Sequence, residues 1–98
     1  MRYKLLGKSG LRVSELCLGG MTFGEDWSTM LPGASKEEAK KIFDLFVSEG
    51  GNFVDTANIY QKGTSEKYIG EFISSERDKF LATKYTLSTN PDSSSSPG

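Results

Sequence analysis

The 98-residue sequence contains no histidine, which excludes imidazole as an acid or base in any site that this chain builds alone. It contains one cysteine, Cys17, which excludes an intramolecular disulfide. The apolar neighbours Leu16 and Leu18 predict instead a thiol buried within a strand, because free cysteine is among the most frequently buried residues.

Long apolar runs and clusters of basic residues are also missing. No segment approaches the 18 or so apolar residues that a membrane span needs, and the first residues lack the apolar core of a signal peptide. Basic and acidic residues are interspersed, with a formal net charge of -1, so no basic stripe is available for nucleic acid or an anionic membrane. The sequence therefore predicts a cytoplasmic protein whose partner is a small molecule or another cytosolic protein.

The residues present alternate between strand and helix patterns. Residues 3–6 and 11–14 flank a glycine-containing turn and predict a β-hairpin. Strands are then predicted at residues 16–18, 52–56 and 80–84. Two helices separate these strands, and such alternation favours a parallel sheet with right-handed crossovers.

Both helices have recognisable starts and apolar faces. Ser35 and Glu38 fit a capping box, and Gly50 and Gly51 are typical of a helix end. The second helix is predicted to begin near Thr64 or Ser65, with Glu66 favoured in its first turn by the helix dipole. The predicted buried positions are Ala39, Ile42, Phe43, Phe46 and Val47 in the first helix, and Tyr68, Ile69, Phe72 and Ile73 in the second.

Three reactive side chains follow two of the predicted strands. Asp55 and Lys84 end the apolar runs at 52–56 and 80–84, and Tyr60 lies in the loop after Asp55. The carboxyl ends of parallel strands form the mouth where ligands bind. A phenol has a pKa of about 10, and a nearby ammonium eases its proton release. The alternative is a structural ion pair beside a half-buried aromatic residue.

The motifs around these residues resemble those of the aldo-keto reductase family, and most closely its bacterial and plant members related to potassium-channel β-subunits. In chain order the motifs are Gly10-Leu11-Arg12-Val13-Ser14, Leu18-Gly19-Gly20-Met21-Thr22-Phe23-Gly24, Phe53-Val54-Asp55-Thr56-Ala57-Asn58-Ile59-Tyr60, Gly63-Thr64-Ser65-Glu66 and Leu81-Ala82-Thr83-Lys84. Each is weak alone, but their order and spacing are specific. The resemblance extends from residue 1 to about Leu87.

The resemblance implies a (β/α)8 barrel that binds NADPH without a Rossmann domain and reduces aldehydes or ketones by hydride transfer. It implies that Tyr60 is the general acid and that Asp55 and Lys84 adjust its readiness to release a proton. The family's fourth catalytic residue is a histidine after the fourth barrel strand, beyond the last strand predicted here. The family's N-terminal hairpin closes the bottom of the barrel.

The resemblance also places cofactor-binding residues and predicts no metal. Gly20, Met21, Thr22 and Asp55 are expected to bind NADPH, with Met21 and Thr22 at its nicotinamide end. Gly19 and Gly20 are predicted to allow a close backbone approach after the first barrel strand, although a simple turn would also account for two glycines.

The length predicts an incomplete barrel. A (β/α)8 barrel usually needs about 250 residues, whereas this sequence supplies the hairpin, about three strands and two helices. Residues 1–87 are therefore interpreted as the N-terminal part of the barrel, and the serine-rich residues 88–98 as a disordered tail.

This organisation leaves three interpretations open. The chain is part of a reductase acting on small carbonyl substrates once a barrel is completed, a docking or regulatory fragment that self-associates or binds a barrel partner, or an unselected truncated product. An open sheet with unpaired edges favours association in either of the first two cases.

Overall fold

The sheet and hairpin predicted from the sequence both form in the computed structural model, which describes residues 1–27, 32–74 and 78–85. The elements are β1 (Tyr3–Leu5), β2 (Arg12–Ser14), β3 (Leu18–Gly19), α1 (Lys36–Ser48), β4 (Phe53–Asp55), α2 (Thr64–Ile73) and β5 (Phe80–Ala82). The predicted tail, residues 88–98, lies outside the described residues. No helix within the described ranges is long and apolar enough to cross a bilayer.

The three later strands form a parallel sheet in the order β3-β4-β5, with a helix in each connection. Val54 in the central strand pairs with Leu18 on one side and Leu81 on the other. The predicted α/β class, with β1 and β2 as a separate antiparallel hairpin, is confirmed. Within the described ranges, neither β3 nor β5 has a strand along its outer edge.

The first parallel strand begins later than predicted, at Leu18 rather than Leu16. The backbone carbonyl of Leu16 accepts a hydrogen bond from the Ser14 hydroxyl at 2.7 Å, so it belongs to the bend after the hairpin and not to the sheet. Leu16 is 68% exposed and Cys17 is also exposed. The prediction of a buried strand thiol at Cys17 is therefore wrong.

Helix α1 has a defined structure at both ends. The backbone N–H of Glu38 donates to the Ser35 hydroxyl at 3.2 Å, and the N–H of Ser35 donates to the Glu38 carboxylate at 3.0 Å, which confirms the capping box. At the other end Gly50 has a left-handed φ of +91°. The N–H groups of Gly50 and Gly51 donate to carbonyls of the last helical turn, forming a Schellman motif.

Replacing the cap residue should destabilise the fold measurably. We expect Ser35→Ala to lower the free energy of unfolding by about 1 kcal/mol, because an N–H at the helix start loses its acceptor. Ser48→Ala is the matched control, since the Ser48 hydroxyl only donates to the Leu45 carbonyl within the same helix. Urea unfolding followed by circular dichroism measures both variants, and equal losses would contradict the capping role of Ser35.

The core lies between the two helices and the sheet. Its buried members are Phe23, Ala39, Phe43, Val54, Ile69 and Phe72. The predicted face of α2 is confirmed, with Tyr68 and Ile73 partly buried against this core. In α1 the prediction holds except at Ile42, which is 45% exposed because Ala39 and Phe43 form the row that contacts the core.

The hairpin is attached to the amino-terminal end of β4. The N–H of Ser14 donates to the Asn52 side-chain oxygen at 2.7 Å, and the Asn52 amide donates to the Arg12 carbonyl at 3.0 Å. The Tyr3 hydroxyl donates to the Gly50 carbonyl at 2.6 Å. Because Asn52 directly precedes β4, the hairpin lies at the opposite end of the strand from Asp55, as the resemblance predicts.

Candidate active site

Asp55 and Lys84 meet at the carboxyl ends of β4 and β5. The Lys84 ammonium lies 2.9 and 3.0 Å from the two carboxylate oxygens of Asp55, and 2.8 Å from the Thr56 carbonyl. Backbone hydrogen bonds continue past the strand ends, from Thr56 N–H to the Ala82 carbonyl and from Asn58 N–H to the Lys84 carbonyl. The backbone therefore fixes the relative position of the two charged residues.

The third predicted residue, Tyr60, lies against the same ammonium. The Lys84 nitrogen is 5.1 Å from the centre of the Tyr60 ring, within the range of a cation–π contact. The structure thus brings together Asp55, Tyr60 and Lys84, as the sequence predicts. Their catalytic roles remain predictions.

Electrostatics keep Lys84 charged. Its pKa is raised above the ordinary 10.5, first by the hydrogen bond with Asp55; burial opposes the rise, and the Tyr60 hydroxyl adds to it. A positive charge that persists at neutral pH beside a phenol eases proton release from that phenol. The arrangement can therefore support general acid chemistry.

The raised pKa of Lys84 predicts a pH dependence of stability in the alkaline range. A cation with a higher pKa in the folded state stabilises that state fully below its ordinary pKa of 10.5, and this contribution is lost as the pH rises through the folded value. With side chains 48% and 38% exposed, the pair with Asp55 contributes at most about 1 kcal/mol.

We expect the difference in unfolding free energy between wild type and Lys84→Met to shrink as the pH passes above 10.5. Urea unfolding at about pH 8 and about pH 11, on either side of the ordinary lysine pKa, measures it. Lys67→Met, at an exposed position of α2, is the control for alkaline effects unrelated to the pair. A difference in unfolding free energy that stays constant across this pH range would contradict the raised pKa of Lys84.

The predicted close approach after β3 occurs at Gly20. Its N–H donates to the Asp55 carbonyl at 2.8 Å, and a methyl group there would lie 2.7 Å from the Ile69 side chain and 2.9 Å from the Ser65 hydroxyl. The prediction is wrong for Gly19, where a methyl group would meet no atom within 4 Å. Of these two glycines, Gly20 is the one that packing requires.

Met21 and Thr22 follow at the same end of the sheet. Met21 is 45% exposed, and Thr22 is half-buried with its carbonyl accepting the Ala34 N–H at 2.7 Å. Both lie directly after Gly20, whose backbone pairs with Asp55. Their cofactor-binding role remains a prediction.

Two buried hydroxyls beneath the site were missed in the sequence reasoning. The Ser65 hydroxyl donates to the Gly20 carbonyl at 2.7 Å and lies 2.7 Å from the Thr56 hydroxyl. Both hydroxyl residues are fully buried, so they join the start of α2 to the ends of β3 and β4. Thr56 and Ser65 both lie inside the family motifs quoted above, and that position was the signal in the sequence that could have identified them.

A third missed residue, Gln61, follows Tyr60 directly. Its side chain is fully buried; the amide nitrogen donates to the Met21 carbonyl at 3.0 Å, and the amide oxygen accepts the Trp27 N–H at 2.8 Å. The Trp27 ring meets the Tyr60 ring edge to face, with centres 6.5 Å apart and planes at 77°. Lys62, next in the chain, is exposed.

Comparison with known proteins identifies relatives of the chain. The profile of the aldo/keto reductase family matches residues 15–98. The chain is 51% identical over 83 residues to norsolorinic acid reductase stcV of Emericella nidulans, and 45% identical over 91 residues to an aryl-alcohol dehydrogenase of Pestalotiopsis microspora. These matches cover 82% and 89% of the chain.

A solved structure agrees with these matches. An aldo-keto reductase from Bacillus halodurans, in its holo form, superposes with a TM-score of 0.75 at 32% identity and covers 94% of the chain. The chain spans 29% of that protein, and 21% and 24% of the two curated relatives. The described fold is thus a part of the fold of this relative.

Proposed function

The chain belongs to the aldo/keto reductase family, and we propose that it forms the N-terminal part of an NADPH-dependent reductase acting on small aldehydes or ketones. The observation that carries the proposal is the Lys84 ammonium, held by the Asp55 carboxylate and lying against the Tyr60 ring. The relatives' names, as reductase and dehydrogenase, support the same class of chemistry.

In the proposed mechanism Tyr60 donates its phenolic proton to the carbonyl oxygen as negative charge develops there. Lys84 stabilises the resulting phenolate, because an ammonium nearby lowers the energy of the charged form. Asp55 holds the ammonium through its two carboxylate contacts and so fixes the position of the positive charge beside Tyr60. NADPH, when bound, supplies the hydride to the carbonyl carbon, and the product is an alcohol.

The residues around the strand ends fit the nicotinamide end of such a cofactor. Gly20 draws the backbone close to Asp55, and the exposed Met21 leaves apolar side-chain surface available at the same end of the sheet. Thr22 and Asp55 add oxygen acceptors suited to a carboxamide N–H. We propose that these four residues contact the nicotinamide, and the preference for NADPH over NADH rests on the family resemblance.

We further propose that residues 1–87 form one barrel portion and that turnover requires further strands, whichever polypeptide supplies them. Leu81 of the edge strand β5 is 46% exposed, and the outer edges of β3 and β5 are unpaired within the described residues. Unpaired edges favour pairing with additional strands. We place the protein in the cytoplasm, where NADPH and small carbonyl compounds are available.

The test is a fluorescence titration of NADPH into the chain, run beside size-exclusion chromatography to report self-association. We expect saturable binding by the assembled form and NADPH oxidation when an aromatic aldehyde is added. Lys84→Met should lose oxidation, whereas Lys67→Met, the exposed control on α2, should retain it. Absence of NADPH binding by a folded, assembled protein would refute the proposed nicotinamide site.

A further inference from the structure

We propose that Gln61 is a positioning residue that clamps the β3 loop, residues 21–27, onto the turn that carries Tyr60. The clamp itself is a structural inference. Its consequence for catalysis rests on the proposed function, in which Tyr60 supplies the proton.

The first observation is a buried amide whose nitrogen and oxygen are both hydrogen-bonded. Gln61 is fully buried, and one amide group bridges both ends of the β3 loop, from the Met21 carbonyl to the Trp27 N–H. A buried polar group is retained only where its hydrogen bonds are satisfied. A primary amide of this length supplies the donor and the acceptor that these two backbone groups require.

The second observation is the backbone conformation of the turn. Gln61 and Lys62 both adopt left-handed values, with φ of +52° and +58°, which residues other than glycine rarely adopt. Such a conformation persists only where surrounding contacts determine it. The buried hydrogen bonds of the Gln61 side chain supply such contacts.

The third observation is the space reserved for the Gln61 side chain. Gly24, in the middle of the β3 loop, has φ of +126°, and a methyl group there would lie 2.8 Å from the Gln61 β-carbon. The loop therefore passes over Gln61 at a distance that leaves no room for a larger residue. Contact along the loop, at Met21, Gly24 and Trp27, distinguishes a clamp from a single hydrogen bond.

The clamp has a direct consequence for Tyr60. With its backbone N–H held by Gln61, Trp27 presents its ring edge to face against Tyr60, which also lies against Lys84. Among the described residues the Gln61 amide bonds to Met21 and Trp27 and not to the Tyr60 hydroxyl, so Gln61 acts through the loop and the turn. Loss of the clamp should therefore make the position of the Tyr60 phenol less well defined, while Asp55 still holds Lys84.

Trp27 is the single tryptophan of the sequence, so its fluorescence reports the clamp without any assay of activity. We expect Gln61→Met, which removes both hydrogen bonds at similar volume, to shift the emission to the red and increase quenching by acrylamide. Lys62→Asn is the matched control, because Lys62 is exposed and asparagine tolerates the left-handed conformation. Unchanged emission in a folded Gln61→Met variant would overturn the clamp.

A second variant keeps the proposal testable if Gln61→Met does not fold. Gln61→Glu retains the shape and the acceptor for the Trp27 N–H but replaces the donor to the Met21 carbonyl. We expect acrylamide to quench Trp27 fluorescence more strongly in Gln61→Glu than in wild type, but less strongly than in an unfolded chain. Wild-type quenching in Gln61→Glu would overturn the bridging role of the amide.

Kinetics of the assembled, active protein separate positioning from simple stability. We expect Gln61→Met to lower kcat by about 10-fold to 100-fold, since small misplacement of a reacting group has effects of that size, while the Kd for NADPH is nearly unchanged. Wild-type kcat in a variant with altered Trp27 emission would overturn the positioning role. Altered emission without turnover in the wild type would support the clamp and refute the proposed function.

Discussion

Tyr60→Phe should lower kcat for aldehyde reduction by about 10²-fold to 10⁴-fold in the assembled, active protein, with little change in NADPH affinity. Phenylalanine keeps the ring that contacts Lys84 and Trp27 but removes the hydroxyl that would donate the proton. The expected loss is therefore one of chemistry and not of folding. Steady-state kinetics with NADPH and an aromatic aldehyde measure it.

The matched control for this experiment is Tyr85→Phe. Tyr85 follows Lys84 directly, but its side chain is 75% exposed, so loss of its hydroxyl should leave kcat unchanged. Circular dichroism and NADPH titration on both variants confirm that fold and binding are retained. If Tyr60→Phe reduced the aldehyde at the wild-type rate, Tyr60 would be removed from the mechanism.

Phe43→Ala is expected to have the largest effect on stability. The Phe43 side chain is 1% exposed and lies 5.5 Å, ring centre to ring centre, from Phe72 of the other helix. Truncating a buried phenylalanine costs about 3–5 kcal/mol through lost burial and the cavity that remains. Since small domains are stable by only about 5–15 kcal/mol, much of the folded population should be lost.

Ile42→Ala provides the comparison, because Ile42 neighbours Phe43 in the same helix but is 45% exposed. We expect it to cost about 1 kcal/mol or less, in the range of partly exposed positions. Urea unfolding followed by circular dichroism resolves the difference. Similar losses in the two variants would show that α1 packs along a different face from the one described.

Elements specified by short-range sequence could be predicted. The capping box at Ser35 and the glycine end of α1 depend on residues within a few positions of each other, and both form as predicted. Asp55 and Lys84 meet because each ends a strand and adjacent parallel strands bring their ends together. The proximity of these residues could therefore be predicted from local patterns and one rule of topology.

Two features could not be predicted, one from a local side-chain bond and one from a distant neighbour. Apolar flanking residues favour burial of Cys17, but the Ser14 hydroxyl donates to the Leu16 carbonyl and the chain bends away from the sheet there. The role of Gln61 depends on a loop that begins 40 positions earlier in the chain. A glutamine is not a residue typical of left-handed turns, so the sequence carries no local signal of its conformation.

The attachment of the hairpin at one end of β4 has a consequence for how this fold tolerates change. The anchoring contacts of Ser14 and Asn52 lie at the amino end, while Asp55 lies at the other end of a three-residue strand, about 10 Å long at the usual rise. Substitutions in exposed positions near Met21 and Tyr85 leave that anchorage untouched. Directed evolution can therefore vary the loops at the carboxyl ends of the strands while the attachment of the hairpin stays unchanged.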